Sequence, residues 1–289
     1  MHGMTTRKGG CAGRAKLAAA LGLLLGWAGA AFAQAPGLGP SVELVDPNTF
    51  RACADPRNMP YSDQAGDGFE NRIAKLLADK LHEPVAYTFL PQVIGFYRNT
   101  LNALRCDVVM GVAVGDDLVQ TTNPYYRTAY ALLFKPGTGL DGIDTLEDPR
   151  LKGKHLGVIA GTPPATIMVR QGLIADAKPY PLTVDTRVDA PAKDMIDDIV
   201  AGRIDGGVLW GPFAGYYAEH TQPRLTVVPL LKETGAPMSF RIAMGVRHSD
   251  QNWKRTLNRL IAENRPEIDR ILANYGVPRI DESGKLVAP

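Results

Sequence analysis

FRACADPRNMPYSDQAGDGFENRIAKLLADKLHEPVAYTFLPQVIGFYRNTLNALRCDVVMGVAVG, residues 50–115, alternates strand-like and helix-like stretches. Phe50 to Ala54 reads as a first strand. Phe69 to His82 follows as a helix, because Phe69, Ile73, Leu76, Leu77 and Leu81 recur at helical spacing along one face. Val85 to Leu90 is the next strand. Val93 to Leu104 fits a helix carrying Phe96, Tyr97 and Leu101, and Cys106 to Val112 is an apolar run of the buried-strand type. Such alternation is the signature of a mostly parallel sheet covered by helices.

A second unit of the same design begins after the stretch Lys135 to Gly142, punctuated by Pro136, Gly137, Gly139 and Gly142. His155 to Ala160 is its first strand, and Pro163 to Gln171 a helix entered through Gly161 and Thr162, with Thr162 as the expected N-cap. Pro181 to Asp185 reads as a strand, Ala192 to Ala201 as a helix and Gly207 to Trp210 as a strand. After Leu225 to Leu230, one more strand, Phe240 to Val246, precedes two closing helices, the first capped by Asp250 and the second started by Pro266. The fold class is therefore α/β: two lobes, each a mixed, mostly parallel sheet flanked by helices, with two crossing segments and a cleft between them. Residues 34–135 would form the first part of lobe 1, 136–239 lobe 2, and 240–289 the return strand and C-terminal helices of lobe 1.

Upstream, Arg7, Lys8, Arg14 and Lys16 precede an apolar run from Leu17 to Ala30 and the small-x-small triplet Ala31-Phe32-Ala33. The run is short for a bilayer span, so residues 1–33 read as a cleavable secretory signal. Their removal takes four basic residues and no acid, turning 32 basic and 30 acidic residues into 28 and 30. No Lys/Arg block survives to suggest a nucleic-acid surface, and no second apolar run approaches membrane length. Cys11 leaves with the signal. Cys53 and Cys106 remain, an even number in an oxidising compartment, on strands that this topology makes neighbours; a disulfide and two packed thiols are both open.

Ligands of open α/β sheets bind beyond the carboxyl ends of strands, so the residues after each strand are the candidate site. The first strand is followed by a stiff loop holding Met59 and Tyr61, and the third by Gly111, where backbone can approach a ligand. Gly161 and Thr162 lead into a helix N-terminus suited to an oxygen of a ligand. Trp210 and Gly211 end the last strand of the second unit, and a cleft tryptophan favours an apolar or planar ligand, or a protein segment. Glu70, beside the cleft, is the acid to watch. No nucleophile elbow, zinc helix, phosphate loop or Cys-x-x-Cys is present, and Asp116-Asp117 and Asp197-Asp198 lack the spacing of a calcium loop. Neither a catalytic group, a metal nor a cofactor is expected.

Thr122-Asn123-Pro124-Tyr125-Tyr126 and Gly202-Arg203-Ile204-Asp205-Gly206-Gly207 resemble segments of type 2 periplasmic solute-binding proteins, the family that includes amino-acid receptors. More narrowly, Cys53-Ala54-Asp55-Pro56, Asn58-Met59-Pro60-Tyr61-Ser62, Gly68-Phe69-Glu70-Asn71, Cys106-Asp107-Val108-Val109-Met110-Gly111 and Pro124-Tyr125-Tyr126-Arg127 look like the MoxJ/XoxJ branch. The resemblance implies the type 2 fold, Tyr125 near the ligand, and association with a periplasmic quinoprotein (pyrroloquinoline quinone, PQQ) alcohol or methanol dehydrogenase whose making or activation it would help. One departure stands out. Amino-acid receptors of this fold carry a carboxylate-clamping arginine before the Pro-Tyr segment, and here that stretch reads Val114-Gly115-Asp116-Asp117-Leu118-Val119. Two rival expectations stand beside the dehydrogenase-associated one: a receptor passing a small organic solute to an ABC permease, and a periplasmic enzyme on the same fold with Glu70 as its acid.

Overall fold

The computed structural model of the protein describes residues 43–287; the signal reading of residues 1–33 lies outside them. The chain runs β1 (Phe50–Ala54), β2 (Arg57–Asn58), β3 (Ser62–Asp63), α1 (Phe69–Leu81), β4 (Val85–Phe89), α2 (Phe96–Asn99), β5 (Val108–Ala113), β6 (Gln120–Thr121) and β7 (Tyr126–Phe134). It continues through β8 (Leu156–Ile159), α3 (Pro163–Arg170), β9 (Lys178–Tyr180), α4 (Pro191–Val200), β10 (Gly206–Trp210), α5 (Gly211–Glu219), β11 (Thr226–Pro229), β12 (Ser239–Val246), α6 (Gln251–Glu263) and α7 (Arg265–Asn274).

In the first lobe β4, β1 and β5 are parallel, and β12 returns antiparallel to β5. In the second, β9, β8 and β10 are parallel, while β7 pairs antiparallel with β10 and with β11. Strand β7 serves both. Its first half pairs with β12, Tyr126 opposite Ile242 through Ala129 opposite Ser239, and its second half pairs with β10, Tyr130 opposite Trp210 through Phe134 opposite Gly206. The second crossing lies beside the first, with Tyr130 N donating to Met238 O at 2.9 Å.

Each lobe buries its own apolar cluster. In lobe 1, Phe69, Ile73 and Leu77 of α1 meet Met110, Met244, Trp253 and Leu257. In lobe 2, Leu132 and Phe134 of β7 face Leu156, Ile167 and Met168, while Ala131 and Leu133 face Met195, Ile196 and Ile199 of α4. Alternate residues of β7 thus enter opposite layers, as a strand covered on both faces requires.

Beneath the lobe 1 sheet lies a buried charge network. Arg51 grips the Asp107 carboxylate through Nε at 2.7 Å and Nη2 at 2.8 Å, and Arg247 donates to it from the other side at 2.6 Å. Arg247 also donates to the carbonyls of Leu101 and Cys106 and lies 2.7 Å from Asp250 Oδ2, a charge contact without aligned hydrogen-bond geometry. Above it, Cys53 and Cys106 are joined by a disulfide, Cα to Cα 5.4 Å.

Several local expectations give way. The strand expected at Pro181–Asp185 lies earlier, at Lys178–Tyr180, and 181–190 is an irregular segment running along the cleft. The helix expected at Val93–Leu104 is one turn, Phe96–Asn99, followed by turns. A helix unforeseen after Trp210 is α5. Thr162 occupies the N-cap of α3, but its hydroxyl donates to Ile159 O at 2.6 Å instead of accepting from the helix. Asp250 likewise gives α6 no side-chain cap, its carboxylate being engaged with Arg247 and Ser249.

Replacing Asp107 by asparagine leaves two guanidinium groups facing one neutral side chain in a dry site. We expect a loss of about 3–5 kcal/mol in unfolding free energy, read as a lower urea midpoint with an unchanged slope.

Candidate functional site

The loop that carries Met59 and Tyr61 is seated on the first turn of α1. Phe69 N donates to Pro60 O at 2.8 Å and Glu70 N to Tyr61 O at 2.9 Å, so free amides of the helix end hold the loop. Gly68 is required there, since a β-carbon would overlap the Tyr61 carbonyl. This seat turns Tyr61 toward the other lobe, where its ring meets Phe213 of α5 edge-on at 5.1 Å and Phe69 at 5.0 Å. Trp210, half-buried, packs against Tyr130 at 4.9 Å and Phe240 at 5.7 Å.

Two small cavities remain among these rings. The inner one, about 210 Å³, is walled by Tyr61, Glu70, Gly111, Tyr126 and Ile242, the outer, about 230 Å³, by Met59, Thr162, Tyr130, Leu182 and Tyr217. They share Asn58, Gln92, Trp210 and Phe213. Each is smaller than the usual pocket for a drug-sized molecule.

Direct bonds tie the lobes across this cleft. The buried Asp55 carboxylate accepts from Arg57 N at 2.9 Å, Gln92 N at 2.8 Å and, from the irregular segment of lobe 2, Thr186 Oγ1 at 2.7 Å. Arg57 Nη1 donates to Arg187 O at 2.8 Å, and Tyr217 OH to Met59 O at 3.3 Å.

Glu70 is 4% exposed. Burial, helped by the nearby Asp55 charge, pushes its carboxyl up to about 8, so it carries its proton at neutral pH and can donate a hydrogen bond. Gly111 makes room for it, because a β-carbon there would overlap Glu70 Oε1. Burial also raises the phenols of Tyr61 and Tyr126, which stay protonated donors. No arginine, lysine or histidine lines the inner cavity. Asp116, standing where amino-acid receptors place their clamp, accepts from Tyr97 OH at 3.1 Å and from Leu118 N at 2.9 Å. Asp198, the other half of an acidic pair, is held well below the usual carboxylate range by hydrogen bonds from Lys178, Tyr180 and Arg203, which outweigh its burial. Among the described residues no cluster of three metal-ligating side chains exists, and no helix is long and apolar enough to cross a membrane.

Met59, Tyr61, Glu70, Gly111, Thr162 and Trp210 therefore come together on the cavity walls. Tyr125, Gly161 and Gly211 do not. Tyr125 is fully buried with its hydroxyl donating to Met110 O at 2.7 Å, and it is the next residue, Tyr126, that alternation on β7 turns to the cleft. Gly161 makes an exposed left-handed turn, φ 77°, between β8 and α3. Gly211 is a packing glycine: a β-carbon would lie 2.5 Å from both Ala129 O and Thr128 Oγ1. Sequence reasoning missed Tyr130, Phe213 and Tyr217. The i, i+4 spacing of the last two is the signal that α5 presents them together.

No protein-family profile matches the chain. Protein MoxJ of Methylorubrum extorquens is 32% identical over 250 residues, covering 81% of this chain and 82% of MoxJ. The crystal structure of the periplasmic binding protein XoxJ from Methylobacterium extorquens is 39% identical and superposes with a TM-score of 0.70 over 81% of this chain and all of XoxJ. The chain belongs to the MoxJ/XoxJ family of periplasmic binding proteins. MxaJ from Methylophaga aminisulfidivorans, at 27% identity, matches with a TM-score of 0.72 over 80% of this chain and all of MxaJ. In this MoxJ/XoxJ chain, then, the two-lobed fold is that of a solute receptor while the cleft is largely filled by the protein's own rings.

The carboxyl of Glu70 titrates higher folded than unfolded, so stability falls as pH rises from about 4.5 to about 8, by up to roughly 5 kcal/mol in all, and is not regained above. Glu70→Gln is expected to flatten that fall and to exceed wild type at the alkaline end, as urea midpoints across the window would show. Gly111→Ala should cost about 1–3 kcal/mol, and much less in a Glu70→Ala background, where the overlapped carboxyl is gone; a double-mutant cycle checks this.

Proposed function

We propose that this protein is exported by a cleavable signal and acts in the periplasm as a non-catalytic partner of a PQQ-dependent alcohol or methanol dehydrogenase. It assists the enzyme's maturation or activation by receiving a segment of it, or a small molecule, at the cleft between the lobes. One observation carries this reading over a transport role: the cleft is bridged by Tyr61 on Phe213 and Thr186 on Asp55, and its inner cavity has no cation for a ligand carboxylate. An aromatic lining suits an apolar or planar group and a protein segment equally. The same cavity argues against catalysis, since the other titratable groups that line it, Tyr61 and Tyr126, are phenols held protonated by burial and offer Glu70 no base. Met59, Tyr61, Glu70, Gly111, Thr162 and Trp210 are the residues proposed to meet whatever enters.

The deciding experiment pairs affinity capture of purified PQQ dehydrogenase, loaded and unloaded, with a thermal-shift screen of amino acids and polyamines. Capture of the dehydrogenase, weakened tenfold or more by Trp210→Ala, with no shift from any solute is the expected result. A shift of several degrees by one solute without capture would reassign the protein to the receptors that serve ABC permeases.

A further inference from the structure

On the face of the hinge strands turned away from the cleft, Arg127 of β7 stands directly opposite Arg241 of β12. Neither backbone carbonyl serves the other strand, since Arg127 O accepts from Ile280 N and Arg241 O from Val114 N. The two therefore form a non-hydrogen-bonded pair, the arrangement that brings cross-strand side chains closest. Tyr126 and Tyr130 face the cleft, and Phe240 and Ile242 do so from β12, so alternation sends both arginines to the rear. Like charges directly opposite each other destabilise a sheet.

Among the described residues no carboxylate forms an ion pair with either arginine. Arg127 donates one hydrogen bond, to Ser239 Oγ at 2.7 Å, and Arg241, which is exposed, has no hydrogen-bond or ion-pair partner among the described residues. Over the pair opens a cavity of about 860 Å³, formed by the hinge strands, α7 and the segment after it. Its nearest acid on α7, Asp269, is already engaged by Arg265 at 3.3 Å and Arg279 at 3.4 Å. Asp281 and Glu282 share the lining, directly after Ile280, whose N–H bonds Arg127 O.

We infer that this rear cavity is a second binding site, for a small dicarboxylate held by Arg127 and Arg241. Two adjacent guanidinium forks present parallel N–H donors to carboxylate oxygens and relieve their own repulsion on binding. The acids that share the lining favour a compact anion, because a nucleic acid or a long acidic peptide would extend its charge onto them.

Succinate is the probe, followed by thermal shift and calorimetry on the full mature chain, with acetate and inorganic phosphate as separate arms. Saturable binding of succinate in the millimolar range or tighter is expected, with acetate at least tenfold weaker. Arg241→Ala and Arg127→Ala should each weaken it tenfold or more, and without succinate Arg241→Ala should be as stable as wild type or more so. Arg259→Ala, which removes an exposed charge paired with Glu263 on α6, should bind as wild type does. Equal binding by Arg241→Ala, no saturable succinate response, or a response to phosphate alone would each overturn the assignment.

Discussion

Two guanidinium groups share the buried Asp107 carboxylate in lobe 1, and four elements converge on it. Arg51 is the second residue of β1, Asp107 itself stands one residue before β5, Arg247 one residue after β12, and Asp250 at the start of α6. Charges this dry are expensive alone and tolerable only together, so the sheet order β4-β1-β5-β12 and the site of the C-terminal helices are mutually enforced. The disulfide on the neighbouring residue reinforces the same junction by closing a span of 53 residues, worth about 4 kcal/mol in chain entropy. A rigid lobe 1 is what lets the loop at Met59 and Tyr61 be aimed at all.

Across the cleft, aromatic area replaces the polar clamp of a receptor. Tyr61 meets Phe213 edge-on, and Trp210 meets Tyr130 and Phe240 in the same way, each contact modest. Among these rings Glu70 is kept neutral by burial, so that the inner cavity presents hydroxyl and amide groups and no net charge. Such a surface discriminates by shape and hydrogen bonding.

What could be read from the sequence divides along physical lines. The apolar stripe of α1 has one buried face and one wet face, so its period was plain. Helix α5 was invisible because Gly211, Pro212, Ala214, Gly215 and Ala218 are small or helix-poor and buried on more than one side, which erases the period. Pro181–Asp185 resembled a strand because leucine, threonine and valine alternate there, yet it has no neighbouring strand to bond and follows the lobe edge instead. Whether Tyr125 or Tyr126 faces the cleft is a question of register, and register is set by the partner strand, which a single sequence does not display. Arg127 opposite Arg241 escaped for the same reason: a separation of 114 positions hides a contact that only the pairing reveals.

The two crossings of the hinge lie one hydrogen bond apart, Tyr130 to Met238. Everything between them, with its own sheet and its own apolar layers, thus leaves and re-enters lobe 1 through a single doorway. Topologically lobe 2 is a guest inserted into a host, and removing it would leave ends close enough for a short loop to join at small entropic cost. A gene for such a chain can exchange its guest while the host, with its charge network and its disulfide, stays as it was. In that sense the ligand face of this fold can be inherited from two sources.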